Sequence, residues 1–168
     1  MVIRFAGGSA ANQPDTAILI APYVHHSAGI NQETSGWAHV LLRRTIGLSM
    51  LNAFRIRVLN HLTSIQFRVP AELMDQHATN AYSYRLNTSY APRGNWGRDV
   101  AALPSFDLIA GANDEAFKAN AYETALSAHN AAGSYHILDD AGHLDVLVDD
   151  RLISLVTERI TSRLAGSQ

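Results

Sequence analysis

Two kinds of hydrophobic pattern alternate along this chain. Thr16-Ala17-Ile18-Leu19-Ile20-Ala21, Phe106-Asp107-Leu108-Ile109-Ala110 and Tyr135-His136-Ile137-Leu138 are strand-length apolar runs, each followed within a few residues by Pro, Gly, Asn or Asp. The first two lack strict alternation, as strands covered on both faces of a parallel sheet do. Between the second and third runs, residues 115–130 repeat Phe117, Ala121 and Ala125 at every fourth position, which predicts a helix terminated by Gly133. Strand, helix and strand in that order make a βαβ unit with a right-handed crossover. After the third run, residues 151–164 place Leu152, Val156, Ile160 and Leu164 on one stripe, predicting a helix with Asp150 as its N-cap and Gly166 as its stop. The predicted class is α/β.

From about Tyr23 to Leu103 this alternation is interrupted. Residues 37–51 read as an apolar helix. Phe54, Ile56 and Val58 then alternate with Arg55 and Arg57, and Ile65, Phe67 and Val69 alternate with Gln66 and Arg68; together they read as a hairpin. Residues 78–89 read as a further helix before the loop Ala91-Pro92-Arg93-Gly94-Asn95. So long a stretch exceeds any ordinary connection between two strands. The expected organisation is a core from residues 1–23 and 99–168, with residues 24–98 as a mostly helical lid broken internally at Pro70 and Pro92.

Composition narrows the function classes. With 168 residues, 47% apolar and 17% charged, the chain suits about one globular domain. A formal net charge of −2 argues against a nucleic-acid or anionic-membrane surface, which needs a clustered basic excess. The absence of cysteine excludes a disulfide framework, a zinc-thiolate site and a cysteine nucleophile. No apolar run approaches the ~20 residues that span a bilayer. Met1-Val2-Ile3-Arg4 runs almost at once into glycines rather than into a signal-peptide core, so the expected compartment is the cytoplasm.

Candidate chemistry gathers after the second and third strands. Gly111-Ala112-Asn113-Asp114 follows the second, and Gly142-His143 follows the third after Asp139-Asp140-Ala141. Parallel neighbouring strands bring their carboxyl ends to one rim, about 5 Å apart laterally, and open α/β sheets bind ligands outside that rim. A carboxylate that fixes one ring nitrogen of a histidine sets its tautomer and leaves the other nitrogen to act as a general base. Alone, Asp114 reads more readily as a helix N-cap and His143 as a turn residue; their order and shared rim make the pair. Glu115 and Asp139 are alternative acids, although helix-start and turn positions explain them. His25 and His26 follow the first strand at the same rim and are candidates for lining a substrate entrance. Adjacent side chains diverge, so they make a poor metal pair. His39, His61, His77, His129 and His136 show no ligand spacing, and no metal site is expected. Trp37, Trp96, Tyr82, Tyr84 and Tyr90 fall in the expected lid, as core aromatics or against an acyl pocket.

Three stretches resemble the α/β-hydrolase superfamily, in particular its lysophospholipase-like or serine-aminopeptidase-like branch. Asp99–Pro104, the second strand and Gly111-Ala112-Asn113-Asp114 are similar to the helix, strand and acid loop of that family. Ala141-Gly142-His143-Leu144 is similar to its histidine loop, and the first strand ending in Ala21-Pro22-Tyr23-Val24 to the strand that leads into its lid. The resemblance implies Asp114 as triad acid, His143 as triad base and no cofactor. The family's Gly-x-Ser-x-Gly elbow has no counterpart here. Gly7-Gly8-Ser9-Ala10-Ala11 lacks the last glycine, and Ala10–Asp15 is too short for the helix of roughly 11–13 residues that must follow an elbow. In that register Met1–Ala6 resembles the tail of that helix, so the sequence is expected to begin just past the nucleophile, as the C-terminal part of the fold.

The expectation is therefore a serine hydrolase of carboxylic ester, lysophospholipid or amide substrates, carrying the triad acid and base without the serine, and inactive by itself. Its partner would be a small ester or lipid-like substrate, with neither nucleic acid nor a transmembrane segment involved. The alternative is a non-catalytic truncated chain or pseudoenzyme serving as a binding module. Either form is expected to expose a sheet edge prone to self-association.

Overall fold

The computed structural model describes residues 2–8, 14–32, 36–71 and 79–165, and in it the apolar runs become the strands of one parallel sheet. In chain order the elements are α1 (Val2–Ala6), β1 (Thr16–Ile20), β2 (Ala38–Val40), α2 (Leu42–Ala53), β3 (Thr63–Phe67), β4 (Ala81–Ser83), α3 (Tyr84–Tyr90), α4 (Trp96–Ala101), β5 (Ser105–Gly111), α5 (Ala121–Ser127), β6 (Gly133–Leu138) and α6 (Asp150–Ala165), with a 3-10 turn at Asp145–Val148 before α6. The class is α/β: a three-stranded parallel sheet flanked by helices.

The chain divides into two compact units, residues 1–33 with 92–168, and residues 34–91. Residues 24–33 and 92–98, expected in the insertion, thus fall in the first unit. Backbone bonds account for the former: Lys118 N donates to Ile30 O (2.7 Å) and Gln32 N to Ala116 O (3.0 Å), lacing the segment after β1 to the β5–α5 connection.

In the first unit the sheet order is β1-β5-β6, with Ile18 beside Asp107 and Asp107 beside Ser134. Every residue of β5 after Ser105 is buried, as befits the central strand. Its alternating side chains put Asp107 and Ile109 on one face. There Ile109 packs with Leu138, Ala141, Val146 and Leu152, joined by Ile18, Leu155 and Val156. Gly133 opens β6 instead of ending a helix. A Cβ there would lie 2.4 Å from Phe106 Cζ, so that neighbour requires glycine.

Both predicted helices of this unit need correction. The one expected over residues 115–130 is α5 alone, and its buried face carries Tyr122 and Leu126, not Ala121 and Ala125. Its first turns are diverted: Asp114 Oδ1 accepts from Ala116 N and Phe117 N, and residues 116–118 bond to the segment near Ile30 instead of to each other. Helix α6 begins at Asp150, and the residue that caps it is Asp149, whose Oδ1 accepts from Arg151 N at 2.8 Å. Hydrogen bonds from the Arg151 side chain and backbone hold the Asp149 carboxyl down at about 2. Ile160, expected on the inner stripe, is 53% exposed, while Arg159 turns inward and grips Asp107 with Nε and Nη2. Gly166 lies outside the described residues.

The second unit holds an antiparallel sheet, β2-β3-β4, with α2 and α3, so it is not mostly helical. The expected hairpin strand over residues 54–58 is a set of turns: Arg55 N bonds Asn52 O and Asn60 N bonds Arg57 O, with Arg55 at φ +64°. Strand β3 pairs instead with β2, the first residues of the expected 37–51 helix, and with β4. The helix expected over residues 78–89 starts at Tyr84, where Ser83 Oγ caps Leu86 N (3.2 Å); residue 78 lies outside the described residues. Among the described residues no helix is long and apolar enough to cross a membrane.

Candidate active site

The loops leaving β5 and β6 are knitted together through their backbones. Ala112 N donates to Leu138 O (2.9 Å) and Asn113 N to Ala141 O (3.0 Å), while Asp114 N closes a turn onto Gly111 O (3.2 Å). Gly111 permits this approach, since a Cβ there would sit 2.1 Å from Ala141 O. Asp140, at φ +61°, turns the chain between β6 and that carbonyl.

These loops deliver Asp114 to His143. The two are 29 residues apart in sequence, and His143 Nδ1 lies 2.9 Å from Asp114 Oδ2. The Asp114 side chain is fully buried and that of His143 is 15% exposed. Oδ1 of Asp114 accepts from Ala116 N and Phe117 N, each at 2.8 Å, which fixes the carboxylate plane independently of the imidazole. Asp114 therefore does both things the sequence allows it, turning the chain like a cap and contacting His143. The Phe117 ring meets the imidazole edge-on, with centroids 5.2 Å apart. Behind Asp114, Tyr122 is buried and donates to Pro22 O (2.9 Å); burial, and then the charge of Asp114, push its phenol well above the usual range, so it stays a neutral donor.

The other candidate acids do not reach the ring. Glu115 Oε2 accepts from the His143 backbone N (3.0 Å), and Asp145 Oδ2 accepts from Gly142 N (2.9 Å), so two carboxylates brace the histidine loop through its main chain. Asp139 is exposed and contributes its backbone oxygen to Arg151 Nη2 (2.8 Å).

His25 and His26, expected to diverge, instead bring their rings together, with centroids 3.9 Å apart, because they lie in a loop and not in a strand or helix. His25 is buried; its Nδ1 accepts from Ser27 N (3.1 Å) and lies 2.7 Å from Ser27 Oγ, an arrangement that assigns its proton to Nε2. Burial, and then the neighbouring His26, lower its pKa. This pair connects to the Asp114–His143 site at one remove: Asn31 Nδ2 donates to His25 O and His26 O at 3.4 Å each, and Asn31 bridges to Phe117. Trp96, read from sequence as a lid aromatic, belongs to the first unit and lies against His25 and His129.

Sequence reasoning passed over Gln32, Phe117 and the Asp107 cluster. Gln32 Nε2 donates to Asp114 O (3.2 Å), and nothing in its local pattern signals that contact. The cluster was signalled by an aspartate at the centre of an apolar run. Burial opposes ionisation of Asp107, but hydrogen bonds from Arg159 and His136 outweigh it and hold the carboxyl below the usual range. A cavity of about 160 Å³ beside this cluster is lined by Ile18, Ile109, Leu155 and Val156 as well, under α6 and away from the rim where Asp114 and His143 meet. Among the described residues no group of three or more His, Cys, Asp or Glu side chains is placed to hold a metal ion. Ser9 lies outside the described residues.

No protein-family model matches this chain, and no curated protein matches it.

Proposed function

We propose that the chain supplies the acid and base of a serine-hydrolase site of α/β-hydrolase type, acting on a carboxylic ester or amide. One observation carries the reading: a fully buried aspartate, pinned by two backbone N–H groups, meets the Nδ1 atom of a histidine at the carboxyl ends of adjacent parallel strands. In this chemistry Asp114 keeps the His143 proton on Nδ1, and Nε2 takes the proton of a serine hydroxyl as its oxygen attacks the acyl carbonyl. The imidazolium formed stands against Asp114 and then protonates the leaving oxygen or nitrogen. Water repeats the sequence on the acyl-enzyme. The serine would come from a strand–Gly-x-Ser-x-Gly–helix segment pairing along β1, one of the two edge strands of the described sheet.

The test reads the coding frame upstream of Met1 and expresses the chain extended through it. The expected result is an elbow motif in frame, a fluorophosphonate probe bound at its serine, and labelling slowed at least about a thousandfold by His143→Ala. A frame closed by stop codons, or labelling indifferent to His143→Ala, would contradict the reading and leave a non-catalytic binding module.

A further inference from the structure

Helix α2 is amphipathic the wrong way round. On the side facing its own sheet, Leu48 is buried, Ser49 Oγ lies 3.0 Å from the Tyr84 hydroxyl, and Asn52 exchanges side-chain bonds of 2.7 and 2.9 Å with Asn60. The opposite side of a surface helix is ordinarily polar. Here it carries Leu42, Ile46 and Met50, exposed at 63%, 52% and 61%. In the turns that follow the helix, Phe54, Ile56 and Val58 are exposed as well, at 77%, 46% and 75%.

Charge along this stretch has one sign. Arg43 lies within the outer face of α2, and exposed Arg55 and Arg57 alternate with the apolar residues after it. Residues 36–71 contain no acidic residue. Residues 34–91 hold six arginines and two acids, whereas the rest of the chain holds seven basic and thirteen acidic residues. The small overall charge therefore conceals a basic segment, whose local charge suits an anionic surface although the total does not.

We propose that this face docks on an anionic lipid bilayer, with Leu42, Ile46, Met50, Phe54 and Val58 entering the headgroup–acyl boundary and Arg43, Arg55 and Arg57 meeting lipid phosphates. The two observations together select this occupant. A nucleic acid would satisfy the arginines and leave the apolar stripe in water. A second copy laid antiparallel on α2 would bury the stripe but bring Arg43 of one chain against Arg55 and Arg57 of the other. An anionic bilayer satisfies both, and the proposal stands whether or not Asp114 and His143 do hydrolytic work.

Vesicle flotation of the purified chain tests it, using phosphatidylcholine vesicles with and without phosphatidylserine. The chain is expected to float with the phosphatidylserine vesicles, and raised salt is expected to release it. Arg43→Gln/Arg55→Gln/Arg57→Gln should weaken that binding by roughly a hundredfold, since each basic side chain near such a surface is worth about fivefold. Ile46→Asn/Met50→Asn/Phe54→Ser should abolish it, with far-UV circular dichroism confirming the fold of both variants. Failure to float, equal binding to pure phosphatidylcholine, or binding unmoved by salt would overturn the proposal. So would a dimer in solution that Ile46→Asn/Met50→Asn dissociates, which would assign the face to a second copy.

Discussion

Asp114 presents its two oxygens to different structures: Oδ1 to the backbone of Ala116 and Phe117, Oδ2 to Nδ1 of His143. One side chain thus shapes the loop after β5 and orients a ring delivered by the loop after β6. Asp114→Ala should accordingly cost stability as well as orientation. It strands two backbone N–H groups, both bonded at buried or nearly buried positions, and the expected loss is about 2–4 kcal/mol. Asp114→Asn keeps an acceptor for those groups and should cost less than half as much. Urea denaturation of the two variants beside the parent chain measures the difference; equal losses would mean that the turn does not depend on the carboxylate.

Gly111→Ala tests the seam between the two loops. Its Cβ would stand 2.1 Å from Ala141 O, so the histidine loop must move. The expected outcome is a loss of about 2–3 kcal/mol and displaced amide resonances over residues 141–143. A variant with parental stability and an unchanged spectrum there would show that the loops are looser than described.

Acid should weaken the first unit through Asp107. Its folded pKa lies below the ordinary carboxyl value, so the stabilisation is present above about pH 4 and is lost as pH falls through the lowered folded value. Thermal melts taken from pH 6 downward should show that decline, and Arg159→Met should flatten it. An acid limb of unchanged slope in Arg159→Met would remove the pair from the account.

His25 acts in a higher pH window. Its pKa is lowered by burial and by His26, so folding disfavours the protonated ring. Its contribution is present above the unfolded value near 6.5 and is lost as pH falls through the folded value. Between pH 7 and pH 5 the parent chain should lose stability that His25→Gln does not lose. Parallel pH dependences in the two proteins would contradict this.

The parallel strands were legible in the sequence because each is a short apolar run bounded by turn residues, and their carboxyl ends carry the Asp114 and His143 loops. Helix limits were less legible, because tertiary bonds override period. Phe117 keeps helical spacing with Ala121, yet its N–H goes to Asp114 and its neighbours pair near Ile30. The alternation of residues 54–58 imitates a strand, but α2 runs directly into it and the next strand pairs with residues 38–40 instead. Ile160 is left outside and Arg159 turns inward because Asp107, buried on the sheet face beneath α6, needs a cation more than the core needs another isoleucine. No sequence period records that requirement.

The most direct test of the site is the tautomer of His143, read from long-range nitrogen–proton correlations of its neutral imidazole. The arrangement predicts a neutral ring protonated at Nδ1 and not at Nε2, and loss of that preference in Asp114→Ala. A neutral ring protonated at Nε2, or one whose tautomer ignores Asp114→Ala, would contradict it.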